Sequence, residues 1–255
     1  MSQIIVGVPG PWRERRELME ALAKHGTDHN FAGATFFEQS TRTICEFVFY
    51  EHDSDLRNTV EIAGQGLFSA AELDAVAAHD STAWLLFDTP GFETARTAAR
   101  FARVLLEAGG IAVKVDSAGV AHTKQRWLEL SASSEPFDIY TLFVVLVDTG
   151  DGQAYSCGMH NFGLPDAAVP SALGNEECAR LLNVFNMYRL VENPVLKTGE
   201  TFSVEADSPR FRLKHGPYID GYEPDTPLYN PHGLWSLELP QPSAAPTRRR
   251  WQLPW

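Results

Sequence analysis

Hydrophobic and polar positions divide the chain into short segments of alternating period. Residues 4–8 are an apolar, β-branched run closed by Pro9-Gly10-Pro11, which predicts a buried strand. Over 12–25, Leu18, Met19 and Leu22 recur between charges and Gly26 follows, the pattern of an amphipathic helix and its stop. Runs at 31–38 and 43–51 predict two strands joined by a turn at Ser40-Thr41-Arg42. A helix is expected over 69–79, with Ser69 as N-cap and Glu72 completing a capping box. A strand at 83–88, a helix over 92–108 and a strand at 111–115 follow, with Gly109-Gly110 ending the helix.

Farther along, 119–130 reads as helical. The stretch 138–148 holds the most apolar run, at 142–147, which predicts a central strand. Gly150 and Gly152 turn it into a partner at 153–157. A helix is expected over 175–190 and strands at 201–204 and 210–213, after which periodicity fades into Pro, Gly, Tyr and Asp. The first half has the order β-α-β-β-α-β-α-β, compatible with a split β-α-β, ferredoxin-like arrangement. The fold class is α/β (α+β): one mixed sheet with helices, or two ferredoxin-like halves packed together. One globular domain is expected over 1–239, with sub-halves 1–117 and 118–239 and a Pro/Arg-rich tail at 240–255.

Composition narrows the function classes. The 255 residues are 44% hydrophobic and 21% charged, as in an ordinary soluble protein. A net charge of −12 opposes binding to nucleic acid and to anionic membranes. No apolar run approaches the roughly 20 residues that span a bilayer. The start of the chain lacks a signal-peptide pattern, and three cysteines suggest no disulfide framework, so the cytoplasm is the expected location. The basic residues are 16 Arg to 5 Lys, a composition that points to a bacterium with a GC-rich genome.

The candidate chemistry concentrates at 155–166, YSCGMHNFGLPD, where a thiol, an imidazole, a carboxamide and a carboxylate share twelve positions. Cys157 and His160 have ligand types that suit zinc, but a closed site needs four ligands, so His122 or Asp166 would have to join them. Alternatively, Cys157 and His160 form a thiolate–imidazolium pair, with Asn161 or Asp166 orienting the ring. The structural alternative makes Cys157 a buried strand-end thiol and lets His160 and Asn161 bond the loop backbone. His122, near the predicted helix start, is a further catalytic candidate, and Asn161 and Lys124 are candidate ligand contacts. His52-Asp53 with Asp55 reads as a solvated acidic turn. The junctions at Pro9-Gly10 and Pro90-Gly91 lack phosphate-loop spacing, and no hydrolase or metalloprotease signature occurs.

Three segments, GGIAVKVDSAGVAH at 109–122, YSCGMHNFGLPD at 155–166 and NPHGLW at 230–235, resemble signatures of an uncharacterised bacterial family, a domain of unknown function, over roughly 80–238. The resemblance implies a bacterial, mostly soluble protein and no mechanism. In that family an aromatic residue usually stands at the place of His232, which lowers interest in this histidine as a functional group. With no complete catalytic or cofactor constellation, the chain reads as a binding or interaction protein with a polar cleft near 155–166. A protein or a small molecule is its expected partner, and no cofactor is expected. The alternative is a cysteine- or zinc-dependent hydrolase or transferase using Cys157, His160 and His122.

Overall fold

The structure, a computed structural model, describes residues 2–148, 150, 152–217 and 222–239; the expected tail at 240–255 lies outside the described residues. The first part of the chain comprises β1 (Ile4–Gly10), α1 (Arg15–Lys24), β2 (His29–Ala32), β3 (Thr35–Glu38), β4 (Thr43–Glu51), α2 (Leu56–Ala63), α3 (Ala70–Ala77), β5 (Ser81–Phe87), α4 (Phe92–Glu107), β6 (Ala112–Val115) and β7 (Val120–Thr123). After it come α5 (Lys124–Leu130), α6 (Pro136–Phe143), β8 (Val145–Asp148), β9 (Gln153–Cys157), β10 (Asp166–Pro170), α7 (Asn175–Glu192), β11 (Thr201–Phe202), β12 (Phe211–Gly216) and β13 (Leu234–Glu238).

These strands form two sheets of a mixed α/β fold. The first has the order β2-β3-β4-β5-β1-β6-β7, with every neighbouring pair antiparallel. Strand β1 lies between β5 and β6, so β5–α4–β6 is a split β-α-β unit, and β5 in turn separates β1 from β4. The second sheet has the order β11-β12-β13-β10-β9-β8, antiparallel except for the parallel pair β10 and β13. The strands therefore do not form one continuous sheet. Two discrete ferredoxin-like halves are not evident either, because β10 and β13 are parallel neighbours with no strand between them. β7 comes from beyond residue 117 yet pairs with β6, so the boundary at 117/118 falls inside a hairpin.

Period-2 alternation explains the layers. Ile4, Val6 and Val8 of β1, Ala83, Leu85 and Phe87 of β5 and Phe47 of β4 share a core with α4. That helix turns Ala95, Ala98, Ala99 and Ala102 inward beside Phe101, Leu105 and Leu106, so small residues let it approach the sheet closely. Phe101 is fully buried, and a side chain of that size contributes about 2–3 kcal/mol. Residues of opposite parity face the other way. There α2 and α3 cover only the β6–β7 end, through Leu56, Val60, Leu73 and Val76 on Ala112 and Ala121. The rest of that face, with Val48, Tyr50, Trp84 and Leu86, is left without a helix. In the second sheet, Ala167, Val169, Leu213 and Leu237 pack on α7, while Tyr155, Cys157, Ala168 and Leu234 turn toward the core of the first.

Several elements differ from expectation. The apolar run at 142–147 is not a central strand: it begins as the end of α6, which carries Pro136 in its first turn, and continues as β8 on the edge of the second sheet. The end of α6 faces the first core, and β8 has a core on each side, Val145 and Val147 on the first and Leu146 on the second, so the run is apolar throughout although the backbone changes at Val144, which is extended. The expected helix at 119–130 is β7 followed by α5, and Thr123 caps that helix by accepting from the Arg126 amide. The span 31–38 is a hairpin, and α2, β10 and β13 form where no element was expected. The Ser69–Glu72 capping box is present with both of its hydrogen bonds. No described helix is long and apolar enough to cross a membrane.

Candidate functional site

The 155–166 segment leaves β9, turns through a short 3-10 helix at Met159–Phe162 and enters β10. Gly158 and Gly163 bracket the turn, both at positive φ. Asp166 lies at its centre and is fully buried. Its Oδ1 accepts from the Met159 amide (3.0 Å) and the Ser156 hydroxyl (3.3 Å), and its Oδ2 accepts from Asn230 Nδ2 (2.6 Å). Burial pushes the Asp166 carboxyl up to about 7, against the pull of Asn230, the Met159 amide and the Arg189 cation. Asn230 also donates to the Leu164 carbonyl (3.0 Å), and β13 follows it alongside β10.

Asn161, fully buried, bonds in another direction. Its Oδ1 accepts from Ser117 Oγ (2.7 Å) and its Nδ2 donates to the Phe143 carbonyl (3.2 Å). Its own carbonyl accepts from the Gly91 amide at the start of α4 (3.0 Å). His122 does similar work one residue away: its Nε2 donates to the Leu142 carbonyl (3.0 Å) and its ring packs on Trp127. Carbonyls in the last turn of a helix have no partner within it, and at the buried end of α6 these two side chains supply partners. The segments at 109–122, 155–166 and 230–235 therefore converge, with Ser117 on Asn161 and Asn230 on Asp166.

The catalytic candidates do not converge in a cleft. Cys157 is buried in the main hydrophobic core. His160 is also buried, and neither ring nitrogen closes a hydrogen bond of good geometry among the described residues. The backbones of Pro227 and Ser117 lie near the ring and favour protonation weakly, but burial dominates and holds its pKa down at about 4. Burial lowers His122 to about 4 as well. Lys124 is engaged elsewhere, donating from Nζ to the Leu106 carbonyl in the last turn of α4 (2.6 Å). The expected polar cleft at 155–166 is thus a packed interior: residues 154–162 are buried, and Asn161 and Asp166 spend their polar atoms on backbone and on the Ser117, Ser156 and Asn230 side chains.

Metal ligation fits no better at this place. Among the described residues, three ligand atoms within 4.8 Å of one another occur at Asp28, His29 and Glu38, not among His122, Cys157, His160 and Asp166. At that trio the Arg100 guanidinium already donates to Glu38 Oε1 (2.8 Å), and its charge opposes a second cation.

The thiols make this testable. None of the three cysteines is in a disulfide and all are buried; burial pushes Cys45 up to about 12 and raises Cys178. A thiol reagent such as dithionitrobenzoate should therefore label none of them in the native protein at pH 8 within minutes, and all three in denaturant. Rapid native labelling of Cys157 would restore the nucleophile.

Sequence reasoning passed over a different region. On the uncovered face of the first sheet a cavity of about 700 Å³ opens, with Thr82, Trp84 and Leu86 in its floor and Tyr50, Glu51, Asp53 and Asp116 around it. The rim at 51–54 is anchored: His52 Nδ1 donates to the His79 carbonyl (2.7 Å), and the Asp53 amide donates to His79 Nε2 (3.2 Å). The acidic turn at His52-Asp53 is thus the lip of a cavity. Its signal in the sequence was slight: 82–87 is apolar at almost every position, which reads as a strand covered on both sides.

Residues 155–229 match the model of a family described as a domain of unknown function (DUF4261). The match starts at Tyr155, the first residue of the 155–166 segment, and is narrower than the 80–238 expected from resemblance. Nothing among curated proteins or solved structures matches the chain.

Proposed function

We propose that this is a non-catalytic binding protein whose ligand seat is the cavity on the open face of the first sheet. In this reading the polar turn at 155–166 is the structural knot that holds the two sheets together. One contrast carries it: the groups with catalytic chemistry are sealed in the core, whereas the cavity opens to solvent between aromatic and carboxylate side chains. A volume of about 700 Å³ falls within the range of small-molecule sites. The partner is accordingly a small molecule, and three cysteines outside any disulfide support a cytoplasmic setting. We read the interlocked strands β6-β1-β5-β4, with α1 and α4, as a ferredoxin-like framework extended by β2, β3 and β7.

The test is a fragment screen followed by amide and indole chemical shifts. Fragments that bind should move the Trp84 indole N–H and the amides of 50–54 and 82–86. Clustering of shifts at 155–166, or turnover of a model ester that Cys157→Ala abolishes, would replace this reading with the hydrolase.

A further inference from the structure

We propose that the cavity takes an organic cation, a protonated amine carried on a flat or apolar body; the proposal rests on the reading of this cavity as the ligand seat. Charge is the first reason. Glu51, Asp53 and Asp116 line it, and no Lys or Arg does. Lys114 pairs with Asp116 from outside, which leaves Glu51 and Asp53 without an ion pair among the described residues. An anionic ligand would meet these two carboxylates, and the nearby Lys114 ammonium is already taken up by Asp116.

The floor supplies the second reason. Trp84 lies flat across Gly7, where a Cβ would come within 2.6 Å of the ring, so the lack of a side chain there fixes the indole against the sheet. The indole is part of the cavity surface. An aromatic face attracts cations, and the Lys114 ammonium already stands 6.0 Å from this ring's centroid.

Thr82 is the third and independent reason. It is 3% exposed, lines the cavity on the same strand face as Trp84, and its hydroxyl has no hydrogen-bond partner among the described residues. A buried hydroxyl without a partner is costly unless a ligand or water completes it, and its oxygen can accept from an ammonium N–H. The anchored rim adds preorganisation, since the backbone that carries Asp53 is already held by His79 before any ligand arrives.

The experiment titrates the full chain, by calorimetry and by the Trp84 indole resonance, with three probes of similar shape: phenethylamine, 2-phenylethanol and 3-phenylpropanoate. Phenethylamine should saturate and bind at least about tenfold more tightly than the alcohol or the acid, and rising salt should weaken it. The exposed double change Glu51→Gln with Asp53→Asn should weaken the amine about tenfold and leave the alcohol unchanged. Thr82→Val should weaken the amine while raising the stability of the ligand-free protein, because it removes an orphaned hydroxyl; a loss of ligand-free stability would show that the hydroxyl serves the fold. Equal binding of alcohol and amine at the Trp84 indole overturns the cation and leaves the cavity as the seat. If none of the three shifts that indole, the cation and the reading of this cavity fall together.

Discussion

Gly158→Ala should cost about 4 kcal/mol or more, enough to leave much of the protein unfolded. The residue sits at φ +117, and an added Cβ would stand 2.1 Å from the Phe143 carbonyl oxygen and 2.9 Å from the Ala118 Cβ. The first contact is with backbone at the end of α6, where Asn161 holds the Phe143 carbonyl itself and His122 holds the Leu142 carbonyl before it. Relief would require parting the turn from α6 and breaking the Asn161 bond. Gly163 closes the same turn and provides the control: its φ is +73, but the nearest atom to an added Cβ is 3.7 Å away. Gly163→Ala should therefore cost only the backbone strain, about 1 kcal/mol. Urea unfolding of the two variants measures the difference, and a Gly158→Ala loss below that of Gly163→Ala would refute the packing described.

Stability should also fall steeply in mild acid. His122 and His160 are buried bases whose pKa is held near 4, below the usual 6.5. Their neutral rings contribute fully above pH 6.5, and the contribution is lost as pH falls toward 4, because the unfolded chain then binds protons that the folded one refuses. At about 1.4 kcal/mol per unit, each costs about 3 kcal/mol by pH 4. His29 and His79 are lowered too and act in the same sense. Asp166 runs the other way. Its folded pKa is raised to about 7, so its contribution is greatest in acid and declines as pH rises from about 4 to 7. Between pH 4 and 6.5 the two histidines outweigh the one carboxyl, and above 6.5 the carboxyl acts alone. Urea midpoints across pH 4–8 should therefore peak near 6.5. His160→Phe discards a ring that makes no good hydrogen bond, and it should flatten the acid limb by about 3 kcal/mol. An unchanged limb would mean that His160 is protonated in the folded state.

Local chemistry made some of this visible in the sequence. Ser69 and Glu72 satisfy each other three residues apart, so their capping box needed no tertiary knowledge. The helix over 92–108 carries its own period, and the strand at 4–8 is marked by β-branched residues closed by Pro9-Gly10-Pro11. The run at 142–147 shows no single period, because a buried helix end passes into a strand with a core on each side, and a short run holds too few positions to separate the periods. The strand at Asp166 was hidden in a different way. Its polar residues read as reactive, yet Asp166 finds Asn230 64 positions away. Residue type alone does not distinguish a carboxylate that meets substrate from one that ties two segments. The cavity was less legible still. Thr82, Trp84 and Leu86 look like a strand buried on both faces, and only the placement of α2 and α3 over β6 and β7 leaves them open.

The parallel pair β10 and β13 has a consequence for synthesis. All strands of the first sheet lie between residues 4 and 123, so that sheet can close while the ribosome is still making the remainder. The second sheet has no such freedom, because its central pairing waits for 234–238 and the Asp166 carboxylate waits for Asn230. Until those residues emerge, one side of β10 is an unpaired edge beside an unmet buried acid. A nascent chain stalled before Asn230 therefore carries one finished sheet and one sticky, half-built sheet, the state a chaperone or protease would recognise.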